Sequence, residues 1–167
     1  MKNHGFTLIE TIVYIALFGL LMSGALISAY NMFESSNRNA TTVNMEEEGG
    51  FILDKISWIV SGTQSVHLPA LSSSGNTLSV VMSDPSIDNP VIVQFDGRNL
   101  SLTRGSATTN ILNDTNVWLS NVVFTHNYSL GNSINPESIQ ITFTLNARTP
   151  NGQPMSQDFS DITYIRK

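Results

Sequence analysis

One acid stands where an acid is expensive. Glu10 is followed by residues 11–33, a run with no Asp, Glu, Lys, Arg or His. At about 1.5 Å per residue those 23 residues make a helix of roughly 35 Å, which spans a hydrocarbon core of about 30 Å. A carboxylate at mid-bilayer costs about 2.5–3.5 kcal/mol on insertion scales. Acids in that setting usually have a partner and a task. The plainer reading is that Glu10 snorkels to the interface. Other residues able to do chemistry are sparse. Cysteine is absent, so no disulfide framework or thiol nucleophile exists. No H-E-x-x-H, G-x-S-x-G or Walker loop occurs. His67 and His126 read as ordinary surface or loop histidines. Asp84 and Asp88 flank Pro85-Ser86-Ile87; oxygen ligands there would suit calcium, but the spacing is not that of an EF-hand, and turn chemistry accounts for both. Trp58 and Trp118 suit either interface anchoring or packing at the core boundary, and packing is the plainer choice. Nothing here supports an enzyme or calls for a cofactor.

The element that positions Glu10 is the apolar helix itself. Lys2 and Ser23-Gly24-Ala25 would serve as the positive region and cleavage site of a secretory signal, but the apolar run is long and Glu10 interrupts its start. An uncleaved single-span anchor is a second reading. Gly19 and Ser23, four apart, let helices approach closely. With the anchor set aside, one modest domain of a 167-residue chain remains. Its formal charge of −5 and scattered Lys and Arg argue against bulk-charge binding of nucleic acid.

Beyond Phe33 the helix is expected to continue as a polar stem. Glu46-Glu47-Glu48 and Gly49-Gly50 follow. The three acids read as a solvated face or as the acidic first turn of a second helical half, and the Gly pair as a bend or a continuous stretch of helix. Ile52, Ile56, Ile59 and Val60 mark one helical face, ending near Gly62 and laid against a sheet. Strands are expected at Thr77–Ser83, Val91–Phe95, Leu100–Thr103, Val117–Tyr128 and Ser138–Ala147, with a last one through Phe159, Ile162, Tyr164 and Ile165. Asp96-Gly97 between the second and third marks a hairpin. Alternation in Ser138–Ala147 puts Ile139, Ile141, Phe143 and Leu145 on one face. The fold class is α+β: a long N-terminal helix continuing into a globular domain of antiparallel β-strands.

Gly5-Phe6-Thr7-Leu8-Ile9-Glu10, behind a short basic leader and before the apolar run, resembles the processing site of type IV pilins and type II secretion pseudopilins. The resemblance implies cleavage between Gly5 and Phe6 by a membrane-embedded prepilin peptidase, N-methylation of Phe6, and Glu10 at the mature fifth position. Such cleavage creates an α-ammonium at Phe6 in apolar surroundings, and the Glu10 of a neighbouring copy, shifted along a stack of helices, would sit beside it. At ~4 Å the pair is worth roughly 4 kcal/mol at an effective dielectric of 20. Desolvation takes much of that back, so the pair acts mainly as a register.

The tail resembles, more diffusely, the J-type minor pseudopilins and W-type minor pilins, through Val93–Arg104, Trp118–Phe124, Pro136–Leu145 and Tyr164-Ile165-Arg166. The segments implied are a leader at 1–5, a membrane and assembly helix at 6–33, an amphipathic helical stem at 34–62 and an antiparallel β domain at 63–167. The implied role is a minor pilin or pseudopilin at or near a filament tip. Alternatives are a major pilin of the shaft or a membrane-anchored adhesin or sensor. Implied partners are the prepilin peptidase, other minor and major pilins or pseudopilins, an inner-membrane assembly platform and secreted cargo. The implied place is the bacterial inner membrane, single-pass, amino terminus cytoplasmic.

Overall fold

The computed structural model describes residues 7–128 and 137–166. Helix α1 runs unbroken over Leu8–Ser61, through Gly49-Gly50. Among the described residues nine strands follow: β1 (Thr63–Leu68), β2 (Ser74–Gly75), β3 (Thr77–Met82), β4 (Val91–Phe95), β5 (Leu100–Arg104), β6 (Asn110–Ile111), β7 (Val117–Asn127), β8 (Ser138–Arg148) and β9 (Pro154–Tyr164). They form two sheets, ordered β1-β3-β4-β5-β6 and β2-β7-β8-β9, and every pairing is antiparallel. The chain divides into two compact units, one up to Ala40 and one from Thr41.

In the second unit the helical stripe is covered as its period requires. Ile52, Ile56, Ile59 and Val60 are buried, and they share one core with Leu78, Val80, Leu119, Phe124, Phe143 and Leu145 from the two sheets. Gly49 has a packing reason: the ring of Phe159 lies where a side chain would begin, whereas Gly50 faces open space. Phe159 in turn stacks on Phe143, centroids 5.2 Å apart. The Asp96-Gly97 turn forms as its residue types dictate, with Gly97 at a φ of +100° and the Asp96 carboxylate accepting from the Arg98 and Asn99 amides. Buried Asn113 ties the two sheets together, accepting from Leu100 N–H of β5 and donating to the Val117 carbonyl of β7.

Several expectations are corrected. Thr63–Leu68, where no strand was expected, is a strand, with irregular register against β3. Ser74–Gly75, outside the expected strands, pairs with Thr125 and Phe124. On β9, Ile162 and Tyr164 are exposed, and Met155 and Phe159 are the apolar residues that meet the core.

Candidate functional site

Glu10 lies in the first turn of α1. Thr7 precedes the helix and caps it: its hydroxyl oxygen accepts from the Glu10 amide at 3.4 Å, and its carbonyl accepts from the Thr11 amide at 3.2 Å and the Thr11 hydroxyl at 3.3 Å. The Thr-x-x-Glu spacing is that of a helix-opening pair, and an acid in this turn also meets the positive end of the helix dipole. Here the Glu10 side chain turns the other way. Its Oε1 accepts from the Tyr14 hydroxyl at 3.2 Å, one turn along. Tyr14 was missed by sequence reasoning; the i, i+4 spacing of an acid and a phenol is the signal that finds it.

Around this carboxylate the helix is apolar and bare. Leu8, Ile9, Ile12, Leu17, Phe18, Leu20 and Leu21 are all exposed. The most apolar stretch has a mean hydropathy of 2.2, is long enough to cross a membrane, and has no part buried within the chain. The Tyr14 hydroxyl engages one oxygen of the Glu10 carboxylate. Gly5 and Phe6, the expected cleavage and methylation residues, lie outside the described residues.

The remaining candidates separate. His67 is exposed on β1. His126 contradicts the expectation of a surface histidine: it is 3 % exposed. Its Nδ1 is 3.0 Å from the Pro69 carbonyl and its Nε2 is 2.8 Å from the Glu137 carboxylate. The contact at Nδ1 requires an N–H there, because a carbonyl only accepts. The two histidines are thus a strand-surface residue and a buried tie between Pro69, β7 and Glu137 rather than a pair. Asp84 is taken up by its own turn, accepting from the Ser86 hydroxyl at 2.7 Å and amide at 2.8 Å. Those bonds, the hydroxyl first, hold its carboxyl below the ordinary range. Asp96 is lowered likewise, by the Asn99 and then the Arg98 amide. Among the described residues no three His, Asp or Glu side chains converge as a metal site. Glu48, from the acidic triplet, accepts from the Asp114 amide at 2.7 Å and braces that loop. Trp58 stays 45 % exposed, with the Lys55 ammonium 5.1 Å and the Arg104 guanidinium 5.7 Å from its ring centroid.

Compared with known families, residues 1–26 match the prokaryotic N-terminal methylation motif. No curated protein and no solved structure matches the chain. The match covers Gly5, Phe6, Glu10 and most of the apolar run. It supports a precursor like those of type IV pilins and pseudopilins, anchored in a membrane, trimmed by prepilin peptidase, and acting as a structural subunit that assembles with other pilins.

Proposed function

We propose that this chain is a minor pilin or pseudopilin, trimmed after Gly5, N-methylated at Phe6 and packed through its apolar helix into a filament. The observation that carries the reading is Glu10: a carboxylate in the first turn of a helix whose next 23 residues are uncharged and exposed, four residues beyond the expected new amino terminus. The Phe6 ammonium of one subunit and the Glu10 carboxylate of the next neutralise each other, and a subunit out of register leaves a buried charge unpaired. Tyr14 orients the carboxylate from within its own helix.

On this reading the segments are a leader at 1–5, an assembly helix at 6–33, a stem at 34–62 and a β domain at 63–167. The protein sits in a bacterial inner membrane with its amino terminus in the cytoplasm, beside an assembly platform and sibling subunits. The strand rhythm of the tail supports a J-type or W-type subunit near the tip, with cargo as a further contact of the β domain. A shaft subunit is the second reading, favoured by one observation: surfaces of opposite sign lie on the same chain, at Glu46-Glu47 and around Trp58.

Mass spectrometry of the mature amino terminus tests the proposal. The expected start is N-methylated Phe6. An intact Met1 would mark a plain anchored adhesin or sensor, and a start near Leu26 a removed signal; either rejects the filament role.

A further inference from the structure

We propose that β9 takes an extended, cationic segment of another polypeptide as a further strand of its sheet, paired along residues 156–164. The inference concerns the second unit alone and does not depend on assembly into filaments. β9 is the last strand of its sheet among the described residues. Its register against β8 is unbroken over all 11 residues. Two bonds fix the phase of that ladder at its ends: the Ile165 amide donates to the Glu137 carbonyl at 2.9 Å, and the Thr149 amide donates to the Gln153 carbonyl at 2.9 Å. An antiparallel ladder alternates, so the odd-numbered residues of β9 turn their amides and carbonyls to β8. Ser156, Asp158, Ser160, Ile162 and Tyr164 turn theirs to the open side. None of these five amides meets an acceptor among the described residues.

The other edge strands are blunted, as free edges of soluble domains usually are. β1 has two register shifts against β3, and β2 and β6 are two residues long. β9 has no shift, no Lys, and its one Pro is its first residue. A row of unpaired backbone groups of this length is met by a chain in the extended conformation. The β9 of a second copy does not fit. The two-fold axis of an antiparallel edge-to-edge pair stands normal to the sheet. It reverses the helical stem that packs on β9 through Gly49 and Phe159, whereas chains anchored side by side in one membrane carry their stems the same way.

Charge sets the chemistry of the added strand. β9 carries Asp158 and Asp161 and no cation, and Arg148 and Arg166 stand at its two ends, so its middle is acidic. Asp158 shares the open face with Ser156, Ser160, Ile162 and Tyr164, all exposed. A shallow groove of about 290 Å³ lies beside it, lined by Asn121, Thr142, Thr144 and Ser160, with Asp158 as its one charged group. The Asp158 carboxylate accepts from the Thr144 hydroxyl at 2.7 Å. A Lys or Arg side chain reaching over the edge from the added strand adds a charge-assisted bond there. Further along, Ile162 and Tyr164 are 47 % and 54 % exposed and meet apolar or aromatic side chains across the new pair. The partner segment is therefore extended, free of Pro, basic opposite Asp158 and apolar opposite the end of the strand.

The test pans a display library of short random peptides on the full-length chain in detergent micelles. Selected peptides are expected to carry Lys or Arg among alternating β-formers. Added as synthetic peptides, they should slow hydrogen exchange, read by NMR, at the amides of Ser156, Asp158, Ser160, Ile162 and Tyr164. The amides between these, already paired with β8, should change little. Ser160→Pro removes an outward N–H and no bond to β8, and should weaken the peptide about tenfold or more. N-methylation of the peptide amides that face β9 should do the same with the protein untouched, which separates a lost ladder from a misfolded variant. Asp158→Lys should weaken a cationic peptide about fivefold. No selected peptide, selection without a cationic and extended pattern, binding indifferent to both backbone blocks, or protection that does not alternate along β9 overturns the proposal. So does the same alternating protection in the chain alone, which would make a second copy the occupant. Each of these leaves the filament reading standing, since the mature amino terminus decides that separately.

Discussion

One helix serves two different environments. In its first part, from Leu8 to Phe33, large apolar side chains are exposed along the whole length, and the most apolar window has no buried part. From Thr41 to Ser61 the apolar residues Met45, Ile52, Ile56, Ile59 and Val60 are closed over by two sheets of the same chain. Patterning explains the difference. The second part segregates its apolar residues at helical spacing, so one face can be buried while the other meets water. The first part is apolar on all sides, which no single domain face can cover. Its burial must come from lipid or from other helices. The second part is stabilised in cis, the first in trans, and substitutions in the two should be read by different instruments.

The sharpest contrast comes from core truncation. Ile56→Ala removes a buried side chain from the shared core and should lower domain stability by about 2–5 kcal/mol. Leu17→Ala removes an equally large apolar group from the first part, where nothing within the chain covers it. It should shift domain unfolding by less than about 0.5 kcal/mol. Both tryptophans lie in the second unit, so their fluorescence during denaturation reports that unit alone. Equal losses for the two variants would break the distinction.

Adjacent glycines give a finer contrast within the covered part. Gly49→Ala forces the Phe159 ring off its seat against the helix and should cost about 1–3 kcal/mol, the usual range for overpacking. Gly50→Ala meets open space and should stabilise by about 0.5–1 kcal/mol, through helix propensity and a less free unfolded chain. The two are separated by thermal unfolding of each variant. Should they prove alike, the seating of Phe159 on Gly49 is wrong.

How far the sequence foretold this molecule follows from where each signal lies. The stripe at Ile52, Ile56, Ile59 and Val60 and the alternation of β8 are local periodicities, and both elements formed where they were expected. The turn at Asp96-Gly97 needs two residues and was equally legible. Strand β1 was not, because its pairing with β3 is interrupted by two register shifts that blur a period of two. Strand β2 is two residues long and exists only because β7 runs beside it. His126 carries no local sign of burial. Its partners are the Pro69 carbonyl and Glu137, brought together by tertiary structure. Continuity through Gly49-Gly50 was undecidable for a similar reason: the residue that packs on Gly49 is Phe159, from the far end of the chain. Glu10 was conspicuous because its meaning comes from its immediate neighbours, which carry no charge at all.

The uncovered part has its own test. Glu10→Leu should leave the unfolding of the second unit unchanged and reduce filament incorporation about tenfold or more, as one unpaired buried ammonium in the neighbour would demand. Tyr14→Phe removes one hydrogen bond to that carboxylate and should have a smaller effect, about two- to fivefold. Fractionation of sheared filaments from cells, quantified by immunoblot, measures both. Glu10→Leu chains that enter filaments normally would remove the register from the account of assembly.

The smallest effect belongs to acid. Asp96 is held below the ordinary carboxyl range by the amides of Asn99 and Arg98, whereas in the unfolded chain it titrates near the usual value of about 3.9. The folded state therefore binds its proton less readily than the unfolded state. The stabilisation is complete above that ordinary value and is lost as pH falls through the lower folded value. Asp84 follows the same sign through Ser86. Both carboxylates are solvent-exposed, so the loss should be slight, and it should be confined to the second unit. Asp96→Asn keeps an acceptor for the turn but cannot ionise. Its unfolding should lose part of the dependence on pH below about 4 that the parent shows, with little change near neutrality.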